Sequence, residues 1–201
     1  MFTGIIASMG AFGGFRLGRQ ELWIKDPGLG SRIGTGESLA VNGICLTLLR
    51  KEAGALVFTV SRETLGLTNL GSLRPGALLN LELPLTLASF VGGHLVSGHI
   101  DGTGKVIRLA GRTPGKRLFV SFPGRLRSYL VPKGSVAVNG VSLTIAGLKG
   151  SSFEAELIPV TLEGTNLGLL RSGESVNLEC DIVGKYLYNF ACEGPWKRTA
   201  D

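Results

Sequence analysis

Both histidines of the chain, His94 and His99, fall within the stretch GGHLVSGHID, among small residues that let a ligand or another backbone come close. Imidazole moves protons near neutral pH, so acid–base chemistry is sought here first. Taken alone, a histidine in such a stretch more often serves a turn or a core. Cys45, in AVNGICLTL, offers a thiol nucleophile. A lone cysteine in an apolar strand is ordinarily inert and buried. Lys133, in VPKGS, reads as a solvated turn lysine. Asp181 precedes a helical pattern, where an N-cap is its ordinary role.

Other patterns fail on inspection. GTGKV (102–106) is not a phosphate loop: the first glycine of GxxxxGK[ST] would fall on His99, and valine follows Lys105. GLGSRIG (28–34) is one residue off GxGxxG and opens no helix. Three cysteines without CxxC spacing, and only two histidines, indicate neither a disulfide framework nor a metal site.

The elements that must position these groups come from a repeat. Residues 38–48 match 135–145 at 7 of 11 positions, and 64–76 match 161–173 at 9 of 13, both at an offset of 97. NLE then recurs at 80 and 177. A period this long is the size of a small domain, not of a solenoid unit. Within each copy, short apolar runs alternate around turn-forming Asn-Gly, which suits hairpins. The reading is therefore all-β: an internal duplication of a small barrel or sandwich, followed by a C-terminal helical segment. The expected division is 1–90, 91–183, and 184–201 for the helix and tail. The linker near 85–94 is short, so the copies should lie close together. In small closed barrels the interior is packed, which sends ligands to the rim or to side pockets. Ile182, Val183, Tyr186, Leu187, Phe190 and Ala191 form one apolar stripe at helical spacing, expected to make a subunit contact.

Bulk properties narrow the class. The 201 residues are 44% hydrophobic and 18% charged, a globular composition, and 31 glycines fit a chain of many tight turns. The N-terminus lacks the features of a secretory signal, and the least charged stretch, 83–100, is broken by Pro84, three glycines and both histidines. A cytoplasmic protein without a membrane segment is expected. The net charge of +6 is scattered and lacks an interleaved aromatic motif, so no nucleic-acid partner is expected.

MFTGII, SLAVNGICLTL, ETLGLTNLG, GGHLVSGHIDGTG, KGSVAVNGVSLTI and NLECDIVGKY, in this order over about residues 1–190, together resemble the riboflavin synthase family of lumazine-binding repeats. The resemblance implies dismutation of two 6,7-dimethyl-8-ribityllumazine molecules to riboflavin and 5-amino-6-ribitylaminouracil, with no cofactor and no metal. It further implies an all-β fold of two similar six-stranded Greek-key barrels with a C-terminal helix, a homotrimer joined by those helices, a reaction site between barrels of neighbouring subunits, and association with lumazine synthase as an open question. A non-catalytic lumazine- or flavin-binding protein of the same fold is the alternative.

Carried over by position, one substrate pocket would take Gly4, Ile5 and Ile6, then Cys45, Leu46 and Thr47, then Thr59, Val60, Ser61, Arg62, Glu63 and Thr64. The other would take Gly98, His99 and Ile100, then Ser142, Leu143 and Thr144, then Ile158, Pro159, Val160, Thr161, Leu162 and Glu163. Lys133 would reach the ligand across the subunit boundary. His99, Cys45 and Ser38 match chemical positions of the family, and Asp181 a supporting polar one. Asn139 and Val160 depart from the family pattern, which has Asp at the first and Glu at the second.

Overall fold

A computed structural model describes residues 1–111 and 114–193. Strands β1 (Ser8–Arg16), β2 (Glu21–Lys25), β3 (Ser38–Val41), β4 (Ile44–Glu52), β5 (Ala55–Thr59) and β6 (Leu78–Glu82) close into a barrel in the order β1-β2-β5-β4-β3-β6. Strands β7 (Gly102–Ala110), β8 (Lys116–Ser121), β9 (Ser135–Val138), β10 (Val141–Lys149), β11 (Ser152–Leu157) and β12 (Ser175–Cys180) repeat that order strand for strand. Short helices α1 (Arg62–Leu67) and α2 (Pro159–Gly164) follow β5 and β11, and α3 (Ile182–Glu193) ends the described chain. The expected tail over 194–201 lies outside the described residues. Among those described, no helix is long and apolar enough to cross a membrane.

Period-2 alternation supplies each interior. Leu39, Val41, Ile44, Leu46 and Leu48 point into the first core with Leu22, Ile24 and Phe58, and their counterparts fill the second. Register shifts at Phe12/Gly14 and Leu48/Arg50 recur at Val106/Arg108 and Ile145/Gly147. Such bulges add the bend that a six-stranded sheet needs to close.

The duplicated AVNG stretch explains how the barrels meet. Val41 pairs with Ile44, so Asn42 and Gly43 form a two-residue hairpin turn with φ of 48° and 80°; Asn139 and Gly140 repeat it at 45° and 78°. Both central residues at positive φ define the hairpin turn that Asn-Gly favours. The two turns stack on each other. A Cβ on Gly43 would lie 2.7 Å from Gly140 N, and one on Gly140 2.6 Å from Gly43 N. Six buried asparagines surround this contact about a local two-fold axis. Asn80 Oδ1 accepts from Asn166 N (2.8 Å) and Asn177 Oδ1 from Asn69 N (2.7 Å). Asn80 Nδ2 donates to Asn139 O (2.9 Å) and Asn177 Nδ2 to Asn42 O (3.0 Å). Asn139 both accepts, from Asn177 N and Asn69 Nδ2, and donates, to Asn166 Oδ1. An Asp there would have no proton to donate when ionised, so the amide suits this network.

Helix α3 lies against its own barrel on one side. Tyr188 meets Tyr129 edge-on at 5.3 Å, and Lys185 pairs with Asp101 at 2.7 Å. Its other side leaves Val183, Tyr186, Leu187 and Phe190 more than half exposed.

Candidate active site

The alternation that sends Leu46 and Leu143 inward sends their neighbours out. Across β3 and β4, Ser38 stands opposite Thr47 and Ala40 opposite Cys45; across β9 and β10, Ser135 stands opposite Thr144 and Ala137 opposite Ser142. Each barrel thus shows an outer face carrying a hydroxyl pair and one reactive side chain, Cys45 or Ser142. The side chains of Leu46, Leu143 and Val60 fill the cores, and Leu162 packs against one. Only backbone groups of the first three can meet a ligand on the outer face.

Two arms complete these faces, and they cross. Ser142 N donates to Gly4 O and Cys45 N to Gly98 O, both at 2.9 Å. Ile6 packs against the second barrel's core and Ile100 against the first's. Phe2 and Val96, fully buried where the arms pass, bridge each other. The grouping carried over from sequence is therefore corrected. Gly4, Ile5 and Ile6 join Ser142, Thr144 and the 158–163 segment. Gly98, His99 and Ile100 join Cys45, Thr47 and the 59–64 segment. Each arm precedes its own barrel in sequence but is laid on the other one, where the backbone N–H of Ser142 in β10 or of Cys45 in β4 donates to its glycine carbonyl.

The crossing brings His99 to the Cys45 side. His99 is exposed, and its N–H donates to Ser97 Oγ at 3.2 Å. Cys45 is half-buried. Helix α1, which follows β5, is capped by Ser61, whose Oγ accepts from Thr64 N at 3.0 Å, leaving Arg62 and Glu63 exposed at its start. In α2, Ile158 offers no side-chain cap and Pro159 occupies the first turn. A proline there costs no helical hydrogen bond. Ile158, Pro159, Val160 and Glu163 are exposed, and Thr161 is half-buried like Thr64.

Lys133 is exposed at φ 66°, where the first copy has Gly36 at φ 86°. Both N–H groups make the same bond, to Ile145 O and Leu48 O, at 2.8 Å. A lysine held in a conformation that glycine adopts freely is strained, and strain of this kind gathers at functional positions. Asp181 Oδ1 accepts from Val183 N at 3.0 Å, serving the first turn of α3.

Three features go beyond the sequence reading, the first being the setting of His94, a residue that reading names. His94 is 9% exposed; its Nδ1 lies 2.7 Å from Ser142 Oγ and its Nε2 is buried without a partner. Burial holds this imidazole below the ordinary histidine range, against an opposing pull from the Asp181 charge. Glu82 and Glu179 are buried and accept from the arms: Thr3 N, Thr3 Oγ1 and Gly4 N for the first, Ser97 N, Ser97 Oγ and Gly98 N for the second. Burial pushes both carboxyls up, and those hydrogen bonds pull the other way. The asparagine network is the third. The recurrence of NLE and TNLG was visible, but not its partners across the barrels. Cys180, by contrast, is buried and pushed up to about 12, so its thiol stays protonated and inert.

A family pattern described as a lumazine binding domain matches the chain twice, over residues 3–84 and 97–181. Riboflavin synthase of Mycobacterium bovis is 40% identical over 193 residues, 93% of this chain and 96% of that protein. The Bacillus subtilis riboflavin synthase is 38% identical over 192 residues, 94% and 89% of the two chains. That of Actinobacillus pleuropneumoniae is 36% identical over 199 residues, 97% and 92%. Among solved structures, LumP complexed with riboflavin superposes with a TM-score of 0.84 at 23% identity, covering 90% of this chain and 99% of that one. LumP complexed with 6,7-dimethyl-8-(1'-D-ribityl) lumazine does so at 0.81. At that identity the likeness speaks for the fold.

Proposed function

The chain belongs to the lumazine-binding family of riboflavin synthases, and we propose that its two outer barrel faces each hold one molecule of substrate. Its activity is that of a riboflavin synthase. Two 6,7-dimethyl-8-ribityllumazine molecules react, one passing a four-carbon unit to the other, to give riboflavin and 5-amino-6-ribitylaminouracil. The observation that carries the reading is the twofold construction: a glycine arm laid on Cys45 and an equivalent arm laid on Ser142. Two near-equal faces suit a reaction that consumes two copies of one molecule.

In this reading the faces take unequal parts. A C7 methyl of one lumazine loses a proton, and the resulting carbanion attacks an electrophilic ring carbon of the other. His99 carries a proton beside Cys45, while Cys45 or Ser38 adds to the acceptor ring or delivers water to it. On the other face His94, neutral by burial, exchanges a proton with Ser142 Oγ. Ribityl hydroxyls and pyrimidine carbonyls are held by backbone groups bordering the two faces and by Thr47, Thr64, Ser142, Thr144 and Thr161. Aligning two bound reactants is worth about 7–11 kcal/mol, so alignment can outweigh any single side chain.

We further propose that the exposed stripe of α3 joins three chains, so that the first barrel of one subunit faces the second barrel of its neighbour, with Lys133 reaching across. The functional divisions then run 1–90, 91–183 and 184–201, in a cytoplasmic enzyme. Leu187→Asp with Phe190→Asp should give monomers by sedimentation; an unchanged sedimentation coefficient rejects the helix contact.

Incubation of the purified protein with the lumazine, followed by riboflavin absorbance, tests the activity. Titration should show two lumazine sites per chain. Tight binding without turnover would favour the lumazine-protein alternative.

A further inference from the structure

We infer that Glu82 and Glu179 are positioning residues that act crosswise, each carried by one barrel and setting the reactive face of the other. The registry shows why. Glu82 is the Cα partner of Ala40, which pairs with Cys45; Glu179 is the partner of Ala137, which pairs with Ser142. Each row thus runs from a buried carboxylate to the reactive side chain of its own barrel. Yet neither carboxylate bonds along its own row.

Glu82 takes Thr3 N and Thr3 Oγ1 on Oε1, at 2.6 and 2.7 Å, and Gly4 N on Oε2 at 3.0 Å. The carbonyl of the same Gly4 accepts from Ser142 N. Glu179 takes Ser97 N and Ser97 Oγ on Oε1, both at 2.7 Å, and Gly98 N on Oε2 at 3.0 Å, and the Gly98 carbonyl accepts from Cys45 N. One glycine therefore links each carboxylate to the far barrel. The hydroxyls extend the reach: Ser97 Oγ, held by Glu179, accepts from His99 N, and Thr3 Oγ1, held by Glu82, accepts from Ile5 N. Glu179 sets the backbone of His99 and the packing over Cys45 together, although its own row ends at Ser142.

The chemistry requires a carboxylate in these places. Three donors converge on two oxygens, and an ionised carboxylate is the side chain that accepts them all. Glutamine would keep the bonds to Thr3 or Ser97 while aiming an NH₂ donor at the glycine N–H. That loosens the arm where it meets the far face and leaves the glutamate's own barrel paired.

This inference rests on the reading that the two faces are the substrate pockets, but its test needs no substrate. Cys45 alkylation by iodoacetamide, resolved from Cys180 and Cys192 by peptide mass spectrometry, reports how closely the Gly98 arm covers that thiol. For the other face, Ser142→Cys is made in a Cys45→Ser background and followed in the same way. Glu179→Gln should speed alkylation at position 45 by about tenfold or more, the effect of shifting the arm's opening equilibrium by one charge-assisted hydrogen bond. Glu82→Gln should leave it within about twofold. At position 142 the two variants should exchange roles.

Equal acceleration of both thiols by either variant would mean general loosening, and acceleration within the glutamate's own barrel would mean ordinary local support; both overturn the inference. If a glutamine variant does not fold, Glu82→Asp and Glu179→Asp, which keep the charge and shorten the reach, carry the same comparison. Lumazine titration of the unmodified protein separately tests the pocket reading. A crossed alkylation pattern without lumazine binding would leave the relay standing and remove its catalytic meaning.

Discussion

Gly98→Ala is the substitution whose consequence the structure works out most fully. Gly98 sits at φ 87°, and a Cβ there would lie 2.5 Å from Cys45 Cβ, 2.9 Å from Cys45 N and 3.1 Å from Cys45 Cα. Two terms follow. Holding a non-glycine residue in the left-handed region costs about 1–2 kcal/mol. Carbon–carbon contact is favourable at about 3.5–4.0 Å, so the arm or β4 must give by about 1 Å, an overpacking cost of about 1–3 kcal/mol. The sum is about 2–5 kcal/mol, to be met by lost stability or by lifting the arm off Cys45. Gly54, in the turn between β4 and β5, separates the terms: it has φ 73° and nothing within 4 Å of its would-be Cβ. Gly54→Ala should therefore cost only the first term, about 1–2 kcal/mol, with turnover unchanged. Urea denaturation and steady-state riboflavin formation measure both variants. Gly98→Ala should also lose turnover at least about tenfold, because each 1.4 kcal/mol of misplacement in the reactive geometry is a factor of about ten. If it matches Gly54→Ala in both stability and rate, the arm does not cover Cys45 as described and the reasoning fails.

Further expectations concern the interface, the strained lysine and pH. Asn80→Ala strips the partners of Asn166 N and Asn139 O in a buried setting, while Asn166 Oδ1 keeps Asn139 Nδ2; at about 1–3 kcal/mol for each group left unsatisfied, a loss of at least about 2 kcal/mol in urea denaturation is expected. Lys133→Gly should raise stability by about 1 kcal/mol through relief of its positive φ while lowering turnover, and a variant that is both more stable and fully active would remove Lys133 from the site. His94 is held below the ordinary 6.5, so as pH falls through that value the unfolded chain takes up a proton that the native imidazole refuses, and stability drops toward acid. His94→Gln should flatten that acid-side slope in denaturation midpoints compared between about pH 5 and 7. Glu82 and Glu179, pushed above 4.5 by burial, act with the opposite sign: the native state holds their protons to higher pH, and stability falls as pH rises from 4.5 through their native values.

Much of this architecture could be read from local pattern. Alternation around Asn42-Gly43 and Asn139-Gly140 specified two hairpins, because positive φ at two successive positions leaves few other residue types available. The offset of 97 specified two copies of one β domain, and the stripe from Val183 to Phe190 specified the helix and its exposed face. Taken alone, Cys45 read as an inert buried thiol; the strand register places it, Ser142 and their threonines at outward positions, since alternate residues must face away from a packed interior.

What no local pattern contained was the exchange between the copies. Gly4 and Gly98 look alike in sequence and precede their own barrels, yet each lies on the other, so the grouping by sequence order put His99 with Ser142 where the fold puts it with Cys45. The six asparagines and two glutamates read as ordinary polar residues of loops and strand ends. Their partners are 59 to 135 residues away between Asn80 and Asn139 or Asn177 and Asn42, and 78 to 82 residues away for the glutamates. The sequence by itself determined each barrel, because steric and hydrophobic preferences act on neighbours along the chain. Only the tertiary structure decided which arm covers which reactive side chain, because buried hydrogen-bonding groups must find partners wherever packing brings them, and here packing about a two-fold axis brings them from the other half of the molecule.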